Sequence, residues 1–265
     1  MKVVLFCGGL GTRLREHSET IPKPLVEVGG RPILWHLMSY YASFGHKDFI
    51  LCLGYRGDMI RKYFLEYNPY LATDFIMENG GKTLTPGRSD ISDWRITFVD
   101  TGLHANLGQR LMAVKTHLEG EEYFLANYSD QLSDLPLDHL VSQTKSKACV
   151  ASFVSVKPQQ SFHNVETDDN GNVVKLRSAM ETDYWINGGY FVLRNDIFDY
   201  IEPGEEIVEE PFSRLIEKKL LWTHRYDGFW RAIDTFKDKI TFDRMHSAGD
   251  RPWARHSHHN GSKKT

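Results

Sequence analysis

The chain has 265 residues, 41% of them hydrophobic, and its 32 basic and 35 acidic side chains leave a formal net charge of −3. Its basic residues are dispersed except for Lys263-Lys264, which argues against generic nucleic-acid binding, and no stretch approaches the roughly 20 apolar residues of a membrane span. The N-terminus lacks the charged and apolar regions of a signal peptide, and Cys7, Cys52 and Cys149 sit in apolar runs as buried reduced thiols do, so a cytoplasmic protein with one large domain is expected.

Along the chain, short β-branched or aromatic runs alternate with longer amphipathic stretches, the pattern of an α/β fold with parallel strands and crossover helices. The first strand is expected at residues 3–7, and it runs directly into "GGLGTRLREHSETIPKPLVEVGG". A helix over 33–44 follows Pro32, with Ile33, Leu37, Tyr40, Tyr41 and Phe44 at helical spacing. A strand at 48–53 and a helix at 57–67 come next. Residues 68–92 show neither period and contain "ENGGKTLTPGRSD", so a mobile loop or irregular hairpin is expected there. Further strands are expected at 94–100, 123–127, 149–156 and 188–193, and "TFKDKITFDRM" reads as a helix. From residue 248 the sequence is polar and ends in "RHSHHNGSKKT", so a domain of 1–247 and a disordered tail of 248–265 are expected.

Gly8, Gly9 and Gly11 fall at the C-terminal end of the first strand, where open α/β sheets bind ligands. Glycines let the backbone approach a phosphate and point amide N–H groups at it, and Arg13 can fork onto phosphate oxygens. The stretch completes neither the P-loop nor the dinucleotide fingerprint, which sets a nicotinamide dehydrogenase aside. Lys23 lies between Pro22 and Pro24 on a stiff backbone that presents its ammonium at a set position. Taken as an exposed side chain, it should contribute to rate and little to stability.

Gly8-Gly9-Leu10-Gly11-Thr12-Arg13-Leu14, Pro22-Lys23-Pro24 and "GGRPILWH", with "FVDTG", "INGGYFVL" and "GFWRAIDT" farther on, resemble the nucleotidyltransferase-fold enzymes that join a sugar 1-phosphate to a nucleoside triphosphate. The resemblance covers nearly the whole chain to about residue 245 and is strongest to the cytidylyltransferases of glucose 1-phosphate. It implies a single Rossmann-like, GT-A-like domain with a mostly parallel central sheet flanked by helices. It implies a triphosphate cradle made by Gly8, Gly9, Leu10, Gly11 and Thr12, with Arg110 and Ser129 beside the nucleotide. By the same resemblance Arg13 neutralises the departing pyrophosphate, Lys23 holds the α-phosphate or sugar phosphate, and Asp130 and Asp234 hold Mg²⁺ or Mn²⁺. Asn187, Gly188 and Gly189 would lie beside the sugar. A helix N-cap is the plain alternative for Asp234, and a surface position for Arg110.

The departures gather at the sugar. The family's Tyr-Gly-Asp-Gly stands here as Tyr128-Ser129-Asp130-Gln131, and the two added side chains would narrow the metal loop. The family's Glu-Lys pair is replaced by Ser178-Ala179, with Lys175, Arg177 or Glu181 as candidate substitutes. "SFHNVE" sets His163, a candidate acid or base, and Asn164 near the sugar, although a lone loop histidine is its plainer reading. Nucleotidyl transfer with release of pyrophosphate is the expected reaction. A metal-dependent NDP-sugar mutase of pyranose-furanose type is the rival, and a non-catalytic nucleotide-sugar binding protein the third reading. The expected partners are a nucleoside triphosphate and a sugar 1-phosphate, or an NDP-sugar. Trp35, Tyr67 and Trp94 are candidate interface aromatics for a homo-oligomer.

Overall fold

The computed structural model describes residues 1–9, 21–86, 91–159, 163–178 and 183–254. The central sheet has seven strands: β1 Val3–Phe6, β2 Asp48–Leu53, β3 Arg95–Asp100, β4 Tyr123–Asn127, β5 Ala151–Val156, β6 Ile186–Arg194 and β7 Leu221–Tyr226, in the order β7-β5-β6-β4-β1-β2-β3. β1 lies parallel to β2 and β4, β2 to β3, and β5 to β7, while β6 runs antiparallel to β4 and β5. The mostly parallel α/β sheet expected from the sequence is therefore present.

Alternation along β1 explains why the sheet is covered on both faces. Val3 and Leu5 enter one core with Leu37 and Tyr41 of helix α1 (Ile33–Ser43), whereas Val4 and Phe6 enter the other. Helix α2 (Gly57–Leu65) adds Ile60 to the first core. The second core takes Leu111 from α3 (Leu107–Ala113) and Leu215 from α5 (Glu210–Glu217). Helix α4 (Leu137–Ser146) and helix α6 (Phe236–Ser247) supply Leu140 and Phe242 to the first. Among the described residues no helix is long and apolar enough to cross a membrane.

Of the two forms expected for residues 68–92, residues 68–86 hold the hairpin, an exposed pair of Phe75–Glu78 and Thr83–Pro86, preceded by a helical turn, Pro69–Ala72, capped by the Asn68 side chain. Two other parts differ from the sequence reading. A second exposed hairpin, His163–Thr167 with Val173–Ser178, and the strand β7 were not anticipated, because their mixed polarity lacks a buried strand's apolar run. Beyond α6 the chain is still part of the domain as far as Trp253, which is 2% exposed and packs against Phe229, Phe242 and His36. One docked indole is invisible in the average polarity of its neighbours. Residues 255–265, with the histidine-rich stretch, lie outside the described residues.

Candidate active site

The C-terminal ends of β1, β2 and β3 are tied together by one side chain. Arg110, near the middle of α3, is 4% exposed. Its Nη1 donates to the Leu53 carbonyl at 3.2 Å and to Thr101 Oγ1 at 2.7 Å, and its Nη2 to the carbonyls of Gly8 at 3.2 Å and Leu103 at 3.4 Å. Gly8 is glycine for this reason: a Cβ there would stand 2.0 Å from Arg110 Nη1. Arg110 is thus buried instead of lying on the helix surface, with its guanidinium already committed to protein oxygens.

These ends wall a cavity of about 340 Å³, lined among others by Gly8, Gly9, Lys23, Asn106, Arg110, Tyr128, Asp130 and Glu206. Asn106 caps α3 in a reciprocal pair with Gln109, a pattern legible as Asn-x-x-Gln. Glu206 accepts from the Leu107 N–H at 3.1 Å through Oε2, its Oε1 is buried without a partner among the described residues, and burial pushes its carboxyl pKa up. Leu10, Gly11, Thr12 and Arg13 lie outside the described residues, so of the expected cradle Gly8 and Gly9 are seen here.

Lys23 opens a 3-10 turn, Lys23–Leu25, between extended Pro22 and a first-turn proline. Its Nζ sits 2.6 Å from Asp130 Oδ2 and 2.7 Å from Asp234 Oδ1, and the three side chains are 16%, 23% and 31% exposed. The lysine is therefore partly buried and paired, contrary to the exposed side chain expected. Burial works against its charge, but the two carboxylates outweigh it and hold its pKa above the ordinary lysine value. Burial pushes the Asp130 carboxyl up, Lys23 opposes this and Asp234 adds to it.

The carboxylates meet because of a short antiparallel ladder. Gln131–Ser133 pairs with Trp230–Ala232, Gln131 opposite Ala232, and the Ile233 N–H reaches the Asp130 carbonyl at 2.8 Å. Asp234 is not the helix cap. Thr235 caps α6 and Asp238 closes the box, which leaves the Asp234 carboxylate to Lys23.

Ser129 and Gln131 turn inward and do not line this cavity. Ser129 adopts φ +70, is fully buried, and its Oγ accepts from the Cys7 thiol at 3.5 Å. Burial pushes that thiol up to about 12. Gln131 Nε2 donates to Asn127 Oδ1 and to the Gly188 carbonyl. Gly188 accepts also from Trp230 Nε1 at 2.8 Å, and Gly189, at φ +73, leaves the space that Gln131 occupies. Asn187 donates to the Tyr128 hydroxyl and accepts from the Gly189 N–H.

Asp234 borders a second cavity, of about 460 Å³, with Gln159, Ile186, Trp230, Arg231, Lys237 and Asp238 in its lining. His163 and Asn164 are exposed on the second hairpin and line neither cavity. Lys175 is exposed on the partner strand, and Arg177 faces Glu166 at 3.4 Å. Glu181 lies outside the described residues. Sequence reasoning missed Gln159, Arg231 and Lys237, although Arg231 stands three residues before Asp234 in "GFWRAIDT".

The profile of the family described as nucleotidyl transferase matches residues 2–241. A probable glucose-1-phosphate cytidylyltransferase of Bacillus subtilis (strain 168) is 36% identical over 255 residues, covering 96% of this chain and 99% of that protein. The glucose-1-phosphate cytidylyltransferase of Salmonella typhi is 34% identical, covering 96% and 98%. Among solved structures, a UDP-glucose pyrophosphorylase complexed with UDP-glucose superposes with a TM-score of 0.68 at 17% identity, covering 94% of this chain and 98% of the other. A putative glucose-1-phosphate thymidylyltransferase from Bacillus anthracis gives 0.65 at 14% identity, covering 92% and 94%. At such identities the structural likeness speaks for the fold.

Proposed function

Because this chain belongs to the nucleotidyl transferase family, we propose that its two cavities are the two halves of one sugar-1-phosphate nucleotidyltransferase site. The observation that carries this reading is the partition between them: Asp130 and Lys23 line the first cavity, Asp234 lines the second, and Lys23 joins both carboxylates. The nucleoside triphosphate lies in the first cavity over the glycine turn, and the sugar 1-phosphate in the second. CTP and glucose 1-phosphate are the favoured pair, on the names of the relatives at 34% and 36% identity.

The reaction asks for position and charge. A phosphate oxygen of the sugar 1-phosphate attacks the α-phosphorus, the bond from that phosphorus to the bridging oxygen breaks, and pyrophosphate leaves with the electron pair. The nucleophile is already an anion at neutral pH, so no general base is needed. Lys23 holds the α-phosphate or sugar phosphate at the junction, and its charge opposes the repulsion between two phosphate groups brought together. Arg13 is assigned to the departing pyrophosphate on the family resemblance.

Two carboxylates against one ammonium leave one negative charge at the partition, and both donors are hard oxygens, which fits Mg²⁺ or Mn²⁺ held by Asp130 and Asp234. Among the described residues no group of three or more His, Cys, Asp or Glu side chains could hold a metal alone, so substrate phosphate oxygens would complete the set. When bound, the cation supplies charge neutralisation on the phosphates.

The test incubates the protein with Mg²⁺, a sugar 1-phosphate and CTP, UTP, dTTP or GTP in turn, and resolves products by anion exchange. An NDP-sugar with equimolar pyrophosphate is expected, with CTP the best donor. In a second arm supplied with an NDP-sugar and pyrophosphate, an isomer of unchanged mass with no triphosphate formed would replace this reading by rearrangement.

A further inference from the structure

Resting on that reading, we propose that Arg231, assisted by Lys237, grips the phosphate of the sugar 1-phosphate, in place of the lysine that stands at Ala179's position in the family pattern. The sequence-level candidates for that role are elsewhere. Lys175 is exposed on the second hairpin, and Arg177 is committed to Glu166. Arg231 instead lines the cavity that Asp234 borders.

The guanidinium is held but not spent. Arg231 sits in the middle of the strand Trp230–Ala232, opposite Leu132, and its side chain is 28% exposed. Its one ion pair among the described residues is to Asp238 Oδ1 at 3.8 Å, too long for a hydrogen bond. Asp238 has other work: its Oδ2 accepts from the Thr235 N–H, the Thr235 hydroxyl and the Asp234 N–H. Arg231 Nε is buried with no partner among the described residues. Leaving a charged donor buried and unmatched is costly, and a phosphate matches a guanidinium fork with two parallel hydrogen bonds.

The rest of the lining suits the sugar that carries such a phosphate. Trp230 and Ile186 give an apolar wall for a pyranose face, and Gln159 Oε1 is a buried acceptor with no donor among the described residues, as a sugar hydroxyl would supply. Lys237, exposed in the first turn of α6, adds a second positive charge with no ion pair of its own among the described residues. Arg231 precedes Asp234 by three residues, so a phosphate held by the first stands next to the partition where transfer occurs.

The test measures kinetics and binding for wild type, Arg231→Gln, Arg231→Lys and Lys237→Gln, with melting curves as the folding control. Loss of one charge-assisted pair should raise KM for the sugar 1-phosphate roughly 10- to 100-fold in Arg231→Gln. KM for the triphosphate should stay within about twofold, since each substrate occupies its own cavity. Arg231→Lys should recover part of the loss, and Lys237→Gln, at an exposed site that tolerates change, should show a smaller loss in the same direction. Calorimetry adds a second readout: wild type should prefer glucose 1-phosphate over glucose, and Arg231→Gln should lose most of that preference. Unchanged KM for the sugar 1-phosphate in a folded Arg231→Gln, or an equal rise in KM for both substrates, overturns the proposal. Failure of the wild type to transfer any nucleotide would sink the reading beneath it, and the calorimetric preference would still decide what Arg231 binds.

Discussion

Lys23 shows how a residue can be found in sequence and its energetics misjudged. Its proline fence and its place after a glycine turn were legible, but its two partners lie 107 and 211 residues away and have no local signal. Since it separates two carboxylates that are themselves partly buried, Lys23→Ala should lower stability by roughly 2 to 3 kcal/mol as well as activity. Urea midpoints would read this, and Lys23→Ala with Asp130→Asn should regain part of the loss. An unchanged midpoint in Lys23→Ala would contradict the pairing. Arg110 is a parallel case: the family pattern pointed to it, while its role as a clasp over three strand ends required the fold. Arg110→Lys replaces a fork by a point charge, and a loss on the order of 2 kcal/mol is expected from carbonyls left unmatched. Gly8→Ala should cost stability too, because the added Cβ meets the anchored guanidinium.

At the scale of elements, the ladder of Gln131–Ser133 with Trp230–Ala232 decides where the carboxylates stand. Three-residue strands carry too little pattern to be recognised from sequence, which is why the meeting of the two aspartates was expected from the resemblance alone and the ladder that brings them together was not foreseen. The buried strands β1, β2 and β4 were legible to within a residue, since burial on both faces forces an apolar run. Thr235 and Asp238 anchor the far end of the ladder as a capping box. Thr235→Ala should cost about 1 kcal/mol and also weaken catalysis by loosening Asp234, whereas Thr235→Ser should retain both; stability loss without any change in rate would show the cap to be independent of the site. Gly189→Ala should be harsher, because its Cβ would stand 2.1 Å from Gln131 Nε2 at a positive φ. Adding Gln131→Gly should relieve only part of the clash, since the Cβ would still stand 2.6 Å from Tyr128 Cδ2, and a backbone penalty of about 1 kcal/mol remains.

For the molecule as a whole, the segment after α6 closes one face of the core and brings a pH dependence with it. Trp253 covers His36, whose Nε2 donates to the Val28 carbonyl at 2.8 Å and whose pKa burial lowers to about 4. The fold favours the neutral ring, so its contribution is whole above the unfolded value of 6.5 and is lost as pH falls toward 4. The full window is on the order of 3 kcal/mol. Denaturation midpoints at pH 7 and pH 4.5 should fall farther apart for wild type than for His36→Gln, and equal slopes would refute the assignment. The α/β class and six of the seven sheet strands were thus readable as local patterns, while the second cavity, the clasp and the docked indole depend on residues far apart in the chain.

That dispersal of Lys23, Asp130 and Asp234 also bears on the protein's birth. Chains emerge from the ribosome at roughly 5–20 residues per second, N-terminal part first, and the glycine turn and Lys23 are made long before Asp234. A nascent chain can form β1, β2 and β4 early, yet Lys23 cannot meet both of its carboxylates until Asp234 has been made. Translation products that stop short of Asp234 therefore carry one wall of the first cavity with Lys23 lacking one of its two partners.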